Sequence, residues 1–180
     1  MLLTPTDALL RVDTLALEEG LRRAGLLGSP IPGIRGGFLA GERFLQLITF
    51  AGCSVRVELT PPASGGGFCF LRIVGPSRRP VLMWGRNTRP PRCPACRNPC
   101  GDWRGPLTGP ATGGGGQLTC TACGEAHPAW TWDWKGTAGF GRCFLVIEEI
   151  FPGEATPAPA LNAALERVTG SPWRHFYVQD

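Results

Sequence analysis

The spacing of apolar positions changes period several times along the chain. In residues 14–25, TLALEEGLRRAG, Leu17 and Leu21 share a helical face with Ala24, and Glu18–Arg22 and Glu19–Arg23 are favourable i,i+4 pairs. This predicts a short helix with Gly25 as its stop. After the Gly/Pro-rich stretch GSPIPGIRGG the period becomes two. RFLQLITF (43–50), SVRVEL (54–59), FCFLRIV (68–74) and PVLMWG (80–85) read as strands separated by turn sequences. Four in succession suggest an antiparallel meander. Further on, RCFLVIEEIF (142–151) carries the strongest strand pattern, and WRHFYV (173–178) reads as a last strand. Between them Leu161, Ala164, Leu165 and Val168 mark a second helix, with Thr156 as N-cap, Pro157 at its first position and Gly170 at its end.

Residues 86–135 break this rhythm. They contain paired cysteines, tryptophans, prolines and a GGGG run at 113–116, with few aliphatic side chains, so little apolar core is expected there. The predicted architecture is α+β: a mainly antiparallel sheet with two short helices, built by residues 1–85 and 136–180. Residues 86–135 form a module inserted between the fourth and fifth strands.

Inside that segment the pattern is Cys93-x2-Cys96, a gap of 23 residues, then Cys120-x2-Cys123-Gly124. Each pair fits a tight turn that aims two sulfurs and several backbone N–H groups inward, and two such turns facing each other complete a tetrahedron of thiolates. Gly124 suits the left-handed position such a turn uses, and Pro94 fixes one dihedral of the other turn. QLT (117–119) reads as a strand and GPATGGGG (109–116) as a hairpin tip. Over about residues 90–135 this pattern resembles a zinc ribbon. The resemblance implies a structural Zn ion; Fe bound as in a rubredoxin is the alternative. Rubredoxins usually carry the Cys-x-x-Cys-Gly pair first, and here the order is reversed. Zinc ribbons serve transcription, translation, assembly and enzymes alike, so the likeness does not itself assign a function. Cys100 and His127 are reserve ligands by position, their simpler reading being a free surface thiol and a solvated loop residue. Cys53, Cys69 and Cys143 lie in or beside apolar strands and read as small buried hydrophobes.

Composition narrows the picture. Of the 180 residues, Gly (26) and Pro (18) approach a quarter, which predicts many turns and few long helices. A chain this long can bury roughly 70% of its unfolded surface. The N-terminus lacks the basic-then-apolar layout of a secretory signal, and the densest apolar run, CFLVI at 143–147, is too short to span a bilayer. The expected setting is cytoplasmic, with no membrane contact, where eight cysteines point to metal or free thiols rather than disulfides. Lys135 is the only lysine. From Arg72 to Arg104 there are eight arginines and one acid, Asp102, so this stretch carries +7 in a chain whose net charge is +4. Arg86, Arg89, Arg92 and Arg97 surround the first cysteine pair. Trp130, Trp132 and Trp134 alternate in AWTWDWKG, and a strand would place all three on one face. Arginine and tryptophan are interface anchors, which suggests a protein partner. A basic surface beside flat rings also suits single-stranded nucleic acid. A third use of the stripe is packing that seals the module against the rest of the chain.

Catalytic patterns are sparse. Gly-x-Ser-x-Gly, a Gly-Lys-Ser/Thr phosphate loop and His-Glu-x-x-His are all missing. GTAGFGR (136–142) precedes a strand rather than opening a helix and reads as a returning loop. Glu148 and Glu149, adjacent in a strand, would face opposite ways. His175 reads as a satisfied core histidine. A thiol role for Cys100 would need Arg97 and Arg104 to depress its pKa. The functional expectation is therefore a non-catalytic accessory or assembly factor that meets a macromolecule near the metal. Nucleic-acid binding comes second, and thiol redox or metal handling third.

Overall fold

The computed structural model describes residues 1–52, 57–62, 65–108 and 116–179. Twelve strands and four helices follow one another along these residues. Before the cysteines come β1 (Leu2–Pro5), α1 (Thr14–Arg23), β2 (Leu27–Pro30), β3 (Gly37–Ala40), α2 (Phe44–Leu47), β4 (Ile48–Phe50), β5 (Leu71–Val74) and β6 (Val81–Met83). Within the cysteine segment are α3 (Arg104–Thr108), β7 (Gln117–Thr119) and β8 (Ala126–Pro128). After it come β9 (Gly139–Gly141), β10 (Phe144–Ile147), β11 (Ala155–Pro157), α4 (Pro159–Thr169) and β12 (Trp173–Phe176). The fold is α+β, as the apolar pattern predicts.

Six strands form one antiparallel sheet in the order β12-β1-β10-β5-β3-β2. Strands from both sides of the cysteine segment therefore share it. Alternation along the central strand sorts the two faces. Leu145 and Ile147 of β10 join Leu3 and Leu71 in the main core, while Phe144 and Val146 join Leu2 and Phe176 on the other face. Helices α1 and α4 cover the first face through Leu17, Leu21, Leu161 and Leu165. They approach closely because residue 20 is glycine: a Cβ there would collide with Val168 Cγ2.

Helix ends follow capping chemistry. Asp13 caps α1, its Oδ1 accepting from the backbone N–H groups of Leu15 and Ala16 at 2.9 and 3.2 Å. Gly25 stops it with φ 78°, and Gly170 ends α4 with φ 69°. The start of α4 differs from the expectation. Thr156 and Pro157 pair with β4, Ala158 is the N-cap, and Pro159 opens the helix. Both prolines satisfy the helix-start pattern, and pairing with β4 decides between them.

The meander is not found. Of the four runs read as consecutive strands, β4 pairs with β11, β5 with β10 and β3, and β6 with β9. Residues 44–47 of the first run are helical, burying Phe44 and Leu47, so only 48–50 are extended. Residues 54–56 and Cys53 lie outside the described residues, and 57–59 are not in a strand. The strand predicted over 142–151 covers 144–147, and the last one ends at 176. Glu149 follows β10 with φ 55°, so Glu148 and Glu149 are not consecutive strand residues.

Candidate metal centre

Strands β6 and β9 are antiparallel neighbours, so the chain leaves for the cysteine segment and returns at adjacent positions. Within the segment the two cysteine pairs adopt the same backbone design. The N–H of Cys93 donates to Asn98 O at 2.9 Å, and that of Arg97 to Cys93 O at 3.0 Å. In the second pair the N–H of Cys120 donates to Glu125 O, and that of Gly124 to Cys120 O, both at 2.8 Å. The residue after each second cysteine is left-handed: Arg97 at φ 64° and Gly124 at φ 78°. A short β7–β8 hairpin supports the second turn. Arg92 supports the first by bridging both Pro99 and Asp133. Arg97 Nη2 donates to Asp133 Oδ2 at 2.8 Å, and Lys135 Nζ lies 3.0 Å from the same oxygen.

The Sγ atoms of Cys93, Cys96, Cys120 and Cys123 all lie within 4.8 Å of one another. Cys93 and Cys123 are 3.8 Å apart, and Cys96 and Cys120 are 3.5 Å apart. A tetrahedral ion with metal–sulfur bonds of about 2.3 Å separates its sulfurs by about 3.8 Å. The four thiols are thus spaced for a shared ion and too far apart for disulfides of about 2.0 Å. Asn98 supports the set from outside: its Nδ2 donates to Cys96 Sγ at 3.4 Å. The backbone N–H of Asn98, followed by this side-chain contact, pulls the Cys96 thiol down to about 6. At Cys123 the Glu125 N–H acts in the same lowering sense. Desolvation and the three neighbouring thiols outweigh it, and Cys123 is pushed up to about 12. Four thiolates cannot share this volume without a cation among them. The site is a four-sulfur cradle whose donor set suits zinc or iron.

Around the cradle sits a compact aromatic core, contrary to the expectation of little apolar packing. Trp103, Leu118, Ala129, Trp132, Trp134 and Phe140 are buried with Cys93, Cys100 and Cys120. Trp134 stands edge-on between Trp103 and Phe140, at 5.1 and 5.8 Å between ring centroids. The tryptophan stripe is thereby corrected. A 3-10 turn at Ala129–Thr131 replaces the strand; Trp132 and Trp134 are 2% and 3% exposed, and Trp130 is half-buried. The indoles at 132 and 134 therefore seal the core and do not form a surface stripe. Arg86, Arg89, Arg92 and Arg97 are exposed. Among the described residues Arg97 pairs with Asp133, whereas no carboxylate pairs with Arg86, Arg89 or Arg92.

Neither reserve ligand belongs to the four-sulfur group. Cys100 is buried, not a surface thiol, and burial pushes its thiol up, against the lowering a redox role would need. His127 lies opposite Leu118 in the hairpin, half-buried rather than solvated, and its buried Nε2 has no hydrogen-bond partner among the described residues. His175, read as a core histidine, is exposed on the edge strand β12. Cys69 and Cys143 are buried, and desolvation pushes both up to about 12, as expected of inert apolar thiols. Most of the hairpin tip, 109–115, lies outside the described residues.

Three contributors escape sequence reasoning. Asn98 is one; the others are Trp84 and Trp103, whose rings meet edge-on at 5.5 Å with the Arg104 guanidinium 4.4 Å from the Trp103 centroid. A signal existed, since tryptophans flank the first cysteine pair at 84 and 103. Among the described residues no helix is long and apolar enough to cross a membrane. No family model matches the chain, and neither a curated protein nor a solved structure shows significant similarity to it.

Proposed function

We propose that the chain is a non-catalytic zinc-binding accessory protein. On this reading residues 86–135 are a zinc-ribbon-like module carried by the sheet body, and the arginine-rich surface beside it engages a protein partner. The observation that carries this is the four-thiol cradle at tetrahedral spacing, with Arg92 directly before Cys93 and Arg86 and Arg89 shortly before it in the chain, all three exposed and lacking carboxylate partners among the described residues. Zinc is favoured over iron by the order of the two cysteine pairs. Four thiolates also close a zinc coordination shell, leaving no open position for substrate. An ion held this way is worth about 10–16 kcal/mol in small peptides. Its role here is to fix the turns that display the arginines.

Burial of Trp132 and Trp134 removes the stacking platform that single-stranded nucleic acid would use, which favours a protein partner. Elemental analysis of the purified chain should find one zinc per molecule. Pull-down from a source lysate should recover a defined partner that Arg89→Glu with Arg92→Glu no longer retains. A metal-free chain, or a double variant that retains every interaction, contradicts the proposal. Binding that instead follows added oligonucleotides and weakens steeply with salt transfers the arginines to the nucleic-acid reading.

A further inference from the structure

A surface selects its partner by charge only where one sign prevails. A cleft on the second face of the sheet does not qualify, since Arg72 and Arg86 line it together with Glu148 and Glu149. A groove of about 670 Å³ along α1 and α4 differs. Among the described residues its charged lining is Arg23, Arg43 and Arg167, with no acid. The acids that adjoin lining positions in the chain, Glu19, Glu42 and Glu166, stay outside it. Glu19 is engaged by Arg23 at 3.3 Å. Arg43 and Arg167 pair with no carboxylate among the described residues.

Small residues make the rest of the surface. Ala16, Gly20 and Ala24 follow one another a turn apart on α1 and its C-cap, and Ala160, Ala163 and Ala164 line the α4 side. Ala16, Ala160 and Ala163 are exposed, so the groove lies open to solvent along both helices. Side chains this short let the axis of another helix come close, with its larger apolar residues filling the hollow. The cations are set along the length of the groove. Arg43 stands where α1 ends, its stem packed on Gly25: a Cβ there would lie 2.8 Å from Arg43 Cγ. Arg167 adjoins Val168, the residue that meets Gly20. Gly20 and Gly25 are five positions apart in the chain, about 7 Å or little more than one helical turn. Carboxylates spaced i,i+4 on a docking helix match that interval.

We infer that this groove docks an acidic amphipathic helix of a partner protein. The helix lies along α1 and α4 with its apolar residues over the alanines and its carboxylates on Arg43 and Arg167. None of the described residues of 86–135 lines the groove, so the site is separate from the metal-side surface proposed above. The test uses the full zinc-loaded chain and three fluorescein-labelled, C-terminally amidated peptides, read by anisotropy. AELAELLAELAE carries leucines on one face and glutamates about a turn apart. AKLAKLLAKLAK reverses its charge, and AELAELLPELAE breaks its helix at unchanged charge. The first should bind at least tenfold more tightly than either of the others. Its binding should fall at least tenfold in Arg43→Glu with Arg167→Glu. The same loss is expected in Ala16→Gln with Ala163→Gln, two exposed helical positions where longer uncharged side chains fill the groove. Metal content and circular dichroism verify each variant. Arg89→Glu with Arg92→Glu should leave this binding unchanged, so failure of the metal-side reading is told apart from failure here. Equal binding of the first and third peptides, a preference for the lysine peptide, full retention by either groove variant, or no binding at all overturns the inference. So does binding of dodecanoate in place of the peptides, which assigns the groove to a free anionic amphiphile.

Discussion

The sheet body and the cysteine segment are held together by different physics. The body buries aliphatic side chains on regular scaffolding. Leu145 and Ile147 sit within a six-stranded ladder, and Leu17, Leu21, Leu161 and Leu165 close over it from two capped helices. Among the described residues the segment has a short hairpin, one short helix, a 3-10 turn and two isolated bridges, and its core centres on three indoles, a phenylalanine and thiols. Indoles bury large area but need partners for their N–H groups. Trp134 donates to Ala129 O at 2.9 Å, whereas the buried Trp103 Nε1 has no partner among the described residues. Fixing the two cysteine turns would hold such a core in register. The body's order is distributed over many contacts; the segment's is concentrated at one point.

The largest expected effect follows from that concentration. Cys120→Ser, or chelation of the wild-type chain, should release the ion and expose Trp103, Trp132 and Trp134, seen as a red shift in tryptophan emission. A loss approaching the about 10–16 kcal/mol of a structural zinc site is local to the segment. Amide exchange of Leu145 and Ile147 should remain protected. Alkylation at pH 8 should then modify the ligand thiols and spare Cys69 and Cys143, whose thiols at about 12 are about one part in ten thousand ionised. Simultaneous loss of protection in β10 would show that the two regions fold as one unit. Their shared border makes this a real alternative, because Phe140 of β9 belongs to the aromatic core.

A core substitution on each side sharpens the contrast. Leu145→Ala should cost about 2–5 kcal/mol of global stability by leaving a cavity. It should not change metal stoichiometry or competition with a chelator. Trp134→Ala, at about 3–5 kcal/mol, should also weaken metal retention, since Trp134 packs in the same core as Cys93 and Cys120. Denaturant melts followed with a zinc indicator separate the two. Metal release at the same denaturant concentration in both variants would refute the distinction.

What the sequence made legible follows the same divide. The four clustered cysteines could be read because cysteine spacing encodes a local turn, and both turns are local. Helices α1 and α4 could be read because a 3.6-residue period and terminal glycines are local too. Strand partners could not. The order β12-β1-β10-β5-β3-β2 joins residues far apart in the chain, and β1, β2 and β3 are too short to show a period of two. Phe44–Leu47, read as part of a strand, is helical, and the i,i+3 spacing of Phe44 and Leu47 buries both together. The tryptophans misled because alternation assumed an extended backbone, and the 3-10 turn at Ala129–Thr131 removed it. Charge gave the arginines but not the cleft on the second face of the sheet, which is assembled from five separate stretches of chain.

The smallest effect separates the two cysteine turns themselves. They share one hydrogen-bond design, but the left-handed position holds glycine in the second and arginine in the first. Gly124→Ala places a Cβ where φ is 78° and should cost about 1 kcal/mol. Arg97→Gly removes the same kind of strain. The gain is offset by about 0.5–1 kcal/mol of extra chain entropy in the unfolded state. A further loss of about 0.2–1 kcal/mol comes from the exposed ion pair with Asp133. The net change should lie between a gain of about 0.3 and a loss of about 1 kcal/mol, and should shift toward gain at high salt, where the ion pair is screened. Zinc competition and thermal melts of the two variants measure both terms. If Arg97→Gly proves as costly as Gly124→Ala in both low and high salt, backbone strain is not what distinguishes the turns. The Arg97–Asp133 contact would then be the strut holding the first cysteine pair against the returning chain.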